Sequence, residues 1–308
     1  MPKIAVVGSL NIDLVMRCER LPSPGETIMT DDVLTVPGGK GANQAVAAAR
    51  AGGEVSMIGR IGDDAYAPIL INNLRQQKVI TNQIHKTPLK SSGVAVVAVD
   101  SNGQNAIMVS PGSNATLSPE DIDDAADVIR DAELLMIQLE TPMETVLHAI
   151  QIAKQTDTRT LLDPAPAPSK PTPSNLFSVD FLCPNQSEAA ALTGITIRSQ
   201  EDAFRAAFDL QKRGVQTVMI TLAEKGVVLL DNDGPRVIPP LQVKPVDTTA
   251  AGDAFAGAFA VRVMESDSTD DAAYFAATAG AMSTTTHGAQ PSLPTRKEIL
   301  ENCPTSNQ

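Results

Sequence analysis

The chain has 308 residues, 43% hydrophobic and 19% charged, an ordinary globular composition that allows one large α/β domain or two smaller ones. Its 36 acidic residues against 24 Lys and Arg give a formal net charge of -12, and there is no long basic run. That balance argues against nucleic acid or an anionic membrane as partner, while leaving room for an anion held locally by backbone N–H groups. Only 3% of residues are aromatic and none is Trp, so the core must be built of Ala, Val, Leu and Ile. Cys18, Cys183 and Cys303 have no metal or redox spacing, and His85, His148 and His287 carry no zinc motif. The first residues, MPKIAVVGSL, enter a strand directly with no signal-peptide core, and no apolar run is long enough to span a bilayer. A cytoplasmic protein is the expectation.

Along the chain, β-rich runs alternate with Ala-rich helical stretches. KIAVVG (3–8) reads as a buried strand, GANQAVAAARAG (41–52) as a helix, EVSMIG (54–59) as a strand and 64–77 as a helix. Residues 118–132 read as a helix capped by Ser118, with Pro119 at its first position. Next come a strand at 133–140, a helix at 142–155, a strand from 159 into a proline-rich loop, and a strand at 180–185. Helices follow near 186–193 and 200–213, strands at 216–222 and 226–231, and helices at 252–265 and 271–286. This alternation predicts a mainly parallel sheet with helices on both faces. Residues 14–36 and 91–110 break the rhythm and read as antiparallel strand material, the second with Asn102-Gly103 as its turn. Together they predict a small antiparallel β-sheet acting as a lid over the strand ends, within one α/β domain spanning 1–308.

Six stretches carry possible chemistry. In VPGGKGANQAVAAAR (36–50), Gly38, Gly39 and Gly41 precede a helix, so backbone can approach a ligand, and Lys40 and Asn43 offer hydrogen bonds to hydroxyls. The spacing fits neither a Walker loop nor G-x-G-x-x-G. A plain glycine turn is the alternative. In GSLNIDLV (8–15), strand alternation puts Asn11 and Asp13 on one face, where an amide and a carboxylate suit a vicinal diol; an edge strand with polar residues outward explains them as well. Glu140 ends a strand, where α/β sites collect, but Pro142 opens a helix beside it, so an acid of the first helical turn is the plainer reading. Asn185 and Glu188, three apart at a helix start, suit both a capping box and Mg²⁺ held through water. Thr221 and the Lys225-Gly226 turn read most simply as a hairpin.

The sixth, DTTAAGDAF, is the most specific. Ala250, Ala251 and Gly252 leave the first-turn N–H groups of a helix open, forming an anion hole. Asp253 beside them could take the proton of an alcohol attacking phosphorus. A cap needs one acid but not the small residues before it.

With NID, GGKGANQA, PNQSE, DTTAAGDAF and GAQPS in this order, the sequence resembles the ribokinase (PfkB) family of sugar kinases from near residue 4 to about residue 295. The resemblance implies transfer of the γ-phosphoryl group of ATP to the 5-hydroxyl of ribose. It casts Asp253 as base, with the N–H groups of Ala250, Ala251, Gly252 and Asp253 as anion hole. Asn11, Asp13, Gly39, Lys40, Gly41, Asn43 and Glu140 would hold the sugar. Asn185, Thr221, Leu222, Ala223, Glu224, Lys225, Gly226, Gly252 and Ala277 would hold the nucleotide, with Glu188 near Mg²⁺. Asp247, Thr249, Ser283, Thr286, Gly288 and Ser292 match a monovalent-cation site, usually for K⁺, and the lid implies a homodimer. Three positions depart from the usual pattern: Gln186 stands where an acid is common, Asp163 where Asn is frequent, and Ala250 where Gly is frequent, the last tolerable if its φ is negative. The acceptors open to such a chain are ribose, 2-deoxyribose, fructose and a nucleoside. A sugar sensor without catalysis is the rival reading. A dinucleotide oxidoreductase would need a Gly-rich fingerprint that VVGSLNID does not supply.

Overall fold

Ile4 and Val6 point to one side of the first strand and Ala5 and Val7 to the other, and all four are buried. A strand apolar on both faces needs cover on both, and the two sets of side chains join two separate hydrophobic cores. The computed structural model describes every residue except 31, 102–104, 170, 267 and 304–308. Its strands are β1 (Lys3–Val7), β2 (Asn11–Arg17), β3 (Val33–Gly38), β4 (Glu54–Gly62), β5 (Ile80–Thr87), β6 (Gly93–Val99), β7 (Asn105–Ser110), β8 (Leu134–Gln138), β9 (Arg159–Asp163), β10 (Phe181–Leu182), β11 (Thr217–Thr221), β12 (Val227–Asp231) and β13 (Gly234–Ile238). Its helices are α1 (Lys40–Ala51), α2 (Ala67–Gln76), α3 (Pro119–Asp124), α4 (Ala126–Asp131), α5 (Met143–Gln155), α6 (Gln186–Thr193), α7 (Gln200–Lys212), α8 (Ala251–Glu265), α9 (Thr269–Ser283), α10 (Ala289–Ser292) and α11 (Arg296–Asn302).

The large sheet runs β13-β12-β11-β10-β9-β8-β1-β4-β5 and is parallel from β5 to β11, with β12 and β13 antiparallel at one edge. Residues of α1, α2, α8, α9 and α11 build the core on one face, and those of α3 to α7 build the other. From β1 the chain first adds β4 and β5 on one side, then returns to place β8 on the other. The loops leaving β1 and β8 therefore part at a topological switch point, where an open α/β sheet leaves a crevice at its strand ends.

The small sheet runs β3-β2-β6-β7. It is antiparallel in its outer pairs, as the sequence predicts, and parallel where β2 meets β6. Asn102-Gly103 lies outside the described residues. Asn11 and Asp13 belong to β2, an inner strand, so the edge-strand explanation of their alternation does not hold.

Several boundaries differ from the sequence expectation. The helix over 118–132 divides at Ala125, whose φ of -96° and ψ of 5° interrupt the spiral. The strand over 180–185 pairs only at Phe181 and Leu182, with an isolated bridge from Asn185 to Thr221, because Pro184 between them has no N–H to give. The last helix of the 271–286 stretch covers 269–283 instead, and Thr284 to Thr286 leave it through turns.

Packing of α8 sets the position of Asp253. Gly257, one turn on, lies so close to α1 that a Cβ there would stand 2.5 Å from Ala47 Cβ and 2.7 Å from Ala48 N. Small residues at this crossing let the two helices approach, and one turn back the same approach brings Asp253 to Asn43 and Gln44. Phe259 pins the helix to the sheet through an edge contact with Phe181, ring centroids 5.1 Å apart. Such a pair adds about 0.5–1.5 kcal/mol to the burial of both rings. Among the described residues no helix is long and apolar enough to cross a membrane.

Candidate active site

Ser9 follows β1 and Glu140 follows β8, and at the switch point the Ser9 hydroxyl donates to the Glu140 carboxylate. Glu140 Oε2 also accepts from Lys40 N at 3.0 Å. Glu140 is thus tied to the glycine turn and not to the helix beside it, whose first-turn acid is Glu144. The turn itself needs its glycines. A Cβ on Gly38 would lie 2.2 Å from Asp13 Oδ2, and Gly39 has φ 90°, with Asn11 N and Ser9 O at 2.8 and 3.0 Å from where a Cβ would be. Opposite, Asn114 holds the β1–β2 turn. It accepts from Leu10 N at 2.9 Å, and donates to Leu10 O at 3.1 Å and Asn11 Oδ1 at 2.7 Å. With its oxygen so occupied, Asn11 presents its amide hydrogens.

Asp253 is 4% exposed at the start of α8. Asn43 Nδ2 donates to its Oδ2 at 3.0 Å and Gln44 Nε2 to its Oδ1 at 3.1 Å. Gln44 Nε2 also donates to Asp163 Oδ2 at 2.7 Å. The N–H groups of Gly252 and Asp253 meet no protein acceptor among the described residues, while Ala251 N stands 3.3 Å from Thr248 O. A methyl built on Gly252 would touch nothing within 4 Å. The first turn of α8 therefore opens onto free space, as an anion site requires. Ala250, the N-cap, has φ 61°. The negative φ that would make Ala tolerable here is not found, and the strain of a left-handed non-glycine residue, about 1–2 kcal/mol, falls on Ala250.

Five carboxylates share this region with one lysine. Burial pulls the Lys40 ammonium down, but Asp253, Asp163, Glu140 and Glu188 together outweigh it and hold the pKa above its usual value. Burial, with Glu140 and Asp253 adding, pushes Asp13 up to about 7. Burial does the same to Asp163, to about 7, helped by Asp253 and Glu188 against Lys40. Burial is also the main cause of the raised Glu188. A carboxyl whose folded pKa exceeds its unfolded value near 3.8 stabilises fully at pH below that value and loses the contribution as pH rises through the folded pKa. The thermal midpoint of the ligand-free protein should therefore fall between pH 5 and pH 8, and Asp13→Asn should flatten the slope. Melting curves followed by circular dichroism read this directly, and a midpoint that climbs over the same range would contradict it.

Asn185 and Glu188 form a full capping box. Asn185 Oδ1 accepts from Ser187 N and Glu188 N, both at 2.9 Å, and Glu188 takes Asn185 N and Nδ2, both at 2.8 Å. Glu188 is 8% exposed. Thr221 to Gly226 form the turn of the β11–β12 hairpin, closed by Leu222 N to Gly226 O at 2.8 Å. The Leu222 side chain is buried in the core, whereas Ala223, Glu224 and Lys225 are exposed. Ala277 is half-buried on α9.

Asp247 joins two loops. Its Oδ1 takes Thr249 N at 2.9 Å and Thr249 Oγ1 at 2.6 Å, and its Oδ2 takes Gly288 N at 2.8 Å. Asp247 N donates to Thr284 O at 3.0 Å, beside Ser283 and Thr286. The Ser283 and Ser292 hydroxyls donate to carbonyls of Gly280 and Ala289. Among the described residues no group of three or more His, Cys, Asp or Glu could hold a metal ion.

Sequence reasoning did not single out Ser9, Gln44 or Asn114, all buried polar residues bonded within the site. Gln44 had a legible signal: an amide in an Ala-rich helix, next to Asn43. Ser9 and Asn114 act through turns whose closure only the fold reveals.

The family model described as pfkB family carbohydrate kinase matches residues 1–296. The chain is 38% identical over 298 residues to the deoxyribokinase of Salmonella typhi and likewise 38% identical over 298 residues to the ribokinase of Haemophilus influenzae, with 97% of each chain covered in both comparisons. The solved structure of Arabidopsis thaliana ribokinase complexed with ribose and ATP superposes with a TM-score of 0.90 at 33% identity, covering 99% of both chains.

Proposed function

The chain belongs to the pfkB family of carbohydrate kinases, an ATP-dependent sugar kinase by its relatives, and we propose that D-ribose is its acceptor, phosphorylated on the 5-hydroxyl. The observation that carries this reading is the buried Asp253 carboxylate, fixed by Asn43 and Gln44 beside a helix start whose N–H groups are open. In this reading Asp253 takes the 5-hydroxyl proton as that oxygen attacks the γ-phosphorus and ADP departs. The open N–H groups of Gly252 and Asp253, with those of Ala250 and Ala251 beside them, stabilise charge on the phosphoryl oxygens in flight. Asn11 and Asp13 grip the neighbouring ring hydroxyls, and the turn from Gly39 to Asn43, with Glu140, closes around the sugar. The β11–β12 turn, Asn185 and the Ala277 side of α9 receive the nucleotide.

So acidic a site cannot take a nucleoside triphosphate without cations. Glu188 would hold Mg²⁺ through water, and the loops tied by Asp247 would hold K⁺ near the anion hole, each adding positive charge where phosphate oxygens gather. The small sheet serves as a lid on a single domain. Its apolar residues Val33, Leu34, Ile107, Met108 and Val109 are exposed, which favours a homodimer through that sheet. A cytoplasmic setting suits the reduced thiols of Cys18 and Cys183.

The deoxyribokinase relative makes 2-deoxyribose the competing acceptor. Asn11 and Asp13, side by side on β2, favour a sugar with both the 2- and 3-hydroxyls. Steady-state kinetics on ribose and 2-deoxyribose, with and without K⁺, test the reading. We expect ribose to lead in kcat/KM by about tenfold or more, the worth of one buried hydrogen bond to a charged group, and K⁺ to raise turnover. A preference for 2-deoxyribose would reassign the acceptor, and indifference to K⁺ would remove the cation from the Asp247 loops.

A further inference from the structure

Two lines of amides, buried but for the half-buried Asn73 at the outer end of one, end on Asp253, one on each carboxylate oxygen. On one side Asn73 Nδ2 donates to Gln290 Oε1 at 2.6 Å, Gln290 Nε2 to Asn43 Oδ1 at 3.2 Å, and Asn43 Nδ2 to Asp253 Oδ2 at 3.0 Å. On the other, Gln138 Nε2 donates to Gln44 Oε1 at 2.6 Å and Gln44 Nε2 to Asp253 Oδ1 at 3.1 Å. The direction of both lines is set by chemistry. An ionised carboxylate only accepts, so the amide touching it must turn its nitrogen inward and its oxygen outward, and that oxygen then needs a donor from the next amide.

The second line ends at a disadvantage. Gln138 is fully buried, and its Oε1 finds no hydrogen-bond partner among the described residues. An orphaned buried acceptor costs about 1–3 kcal/mol. Turning the Gln138 amide over would place oxygen against the oxygen of Gln44. The fold thus tolerates an unpaired acceptor in order to keep Gln44 donating, which is the pattern of a group retained for function over stability.

We infer that Gln138 and Gln290 are positioning residues for phosphoryl transfer: neither touches Asp253, and each locks the amide that holds one oxygen of its carboxylate. Together the lines fix the carboxylate plane, so that its remaining lone pairs face the acceptor hydroxyl. This rests on Asp253 being the base.

The test uses Gln138→Met, Gln290→Met and the double variant, with Asp253→Asn alongside. Each single change should lower kcat about tenfold or more, the scale on which small misplacements of a catalytic group act, while sugar affinity by calorimetry stays within about threefold of the parent. The Gln138→Met protein should melt close to the parent, since the change removes one orphaned acceptor, Gln138 Oε1, and leaves another, Gln44 Oε1, in its place. A merely structural role would instead lower melting temperature and activity together. The double variant should fall little further than the worse single one, because either loss frees the same carboxylate. Single variants within twofold of parental kcat, or a loss confined to sugar affinity, would overturn the inference. Should Asp253→Asn itself keep its turnover, the base assignment is what fails; if only Asp253→Asn loses turnover, the assignment stands and the amide lines are structural.

Discussion

Asp253→Asn should cut turnover by about 10²–10⁴-fold, the usual worth of a positioned general base, with sugar binding little changed. The parent carboxylate accepts one hydrogen bond at each oxygen, from Asn43 at 3.0 Å and Gln44 at 3.1 Å. An asparagine keeps the volume and one acceptor oxygen but turns an NH₂ toward a donor and has no lone pair basic enough to take the hydroxyl proton. Burial near Glu140, Asp163 and Glu188 makes the loss of one negative charge easy to accommodate, so the variant should fold. Single-turnover kinetics with saturating sugar and Mg²⁺-ATP, together with calorimetry of sugar binding, measure both halves. Turnover within a few-fold of the parent would remove Asp253 from the base position, whereas loss of binding in step with turnover would make it a binding residue.

Asp13→Ala carries the second largest expected effect, on the acceptor. If the carboxylate takes two sugar hydroxyls, each charge-assisted bond is worth roughly 1.5–3 kcal/mol, and losing the pair lowers kcat/KM by about 10²-fold or more. The fall should appear mainly in KM, since these bonds exist before and during transfer. Asp13 is also a half-buried carboxylate that burial, with Glu140 and Asp253 adding, pushes up to about 7. Removing it relieves that repulsion, so the ligand-free variant should melt higher than the parent at pH 8 while binding sugar worse. Such opposition between stability and function is what a charge held for its ligand produces. An unchanged KM would move the diol grip away from β2.

Much of this arrangement is legible in the sequence, for physical reasons that differ by element. The alternation of β-rich and Ala-rich runs predicts the parallel sheet because strands buried on both faces must be continuously apolar, as β1 is from Ile4 to Val7. GGKGANQA is recognisable because close backbone approach restricts residue size, a restriction that appears again at Gly257, where α8 meets α1, whereas DTTAAGDAF is recognisable as small residues leaving a helix start open. Other features depend on tertiary contact. Glu140 reads as a helix-start acid until the Ser9 and Lys40 partners, 131 and 100 residues distant, are folded against it. The positive φ of Ala250 has no local sign, since Ala fits a negative φ equally well. Gln138 closes an otherwise apolar strand, LLMIQ, but its polarity gains meaning only when Gln44 is found above it. Asp163 stands where the resemblance gives Asn, and the fold supplies its partner, an amide hydrogen of Gln44 that either residue's oxygen could accept.

The most direct measurement is to incubate the protein with ribose, Mg²⁺-ATP and K⁺, follow ADP release, and assign the product by mass and phosphorus NMR. Sugar-dependent ADP release with a phosphate ester on the 5-oxygen of ribose is the expected result. Phosphate on a different hydroxyl, or sugar bound with no ADP released, would contradict the placement of Asp253 against the 5-hydroxyl.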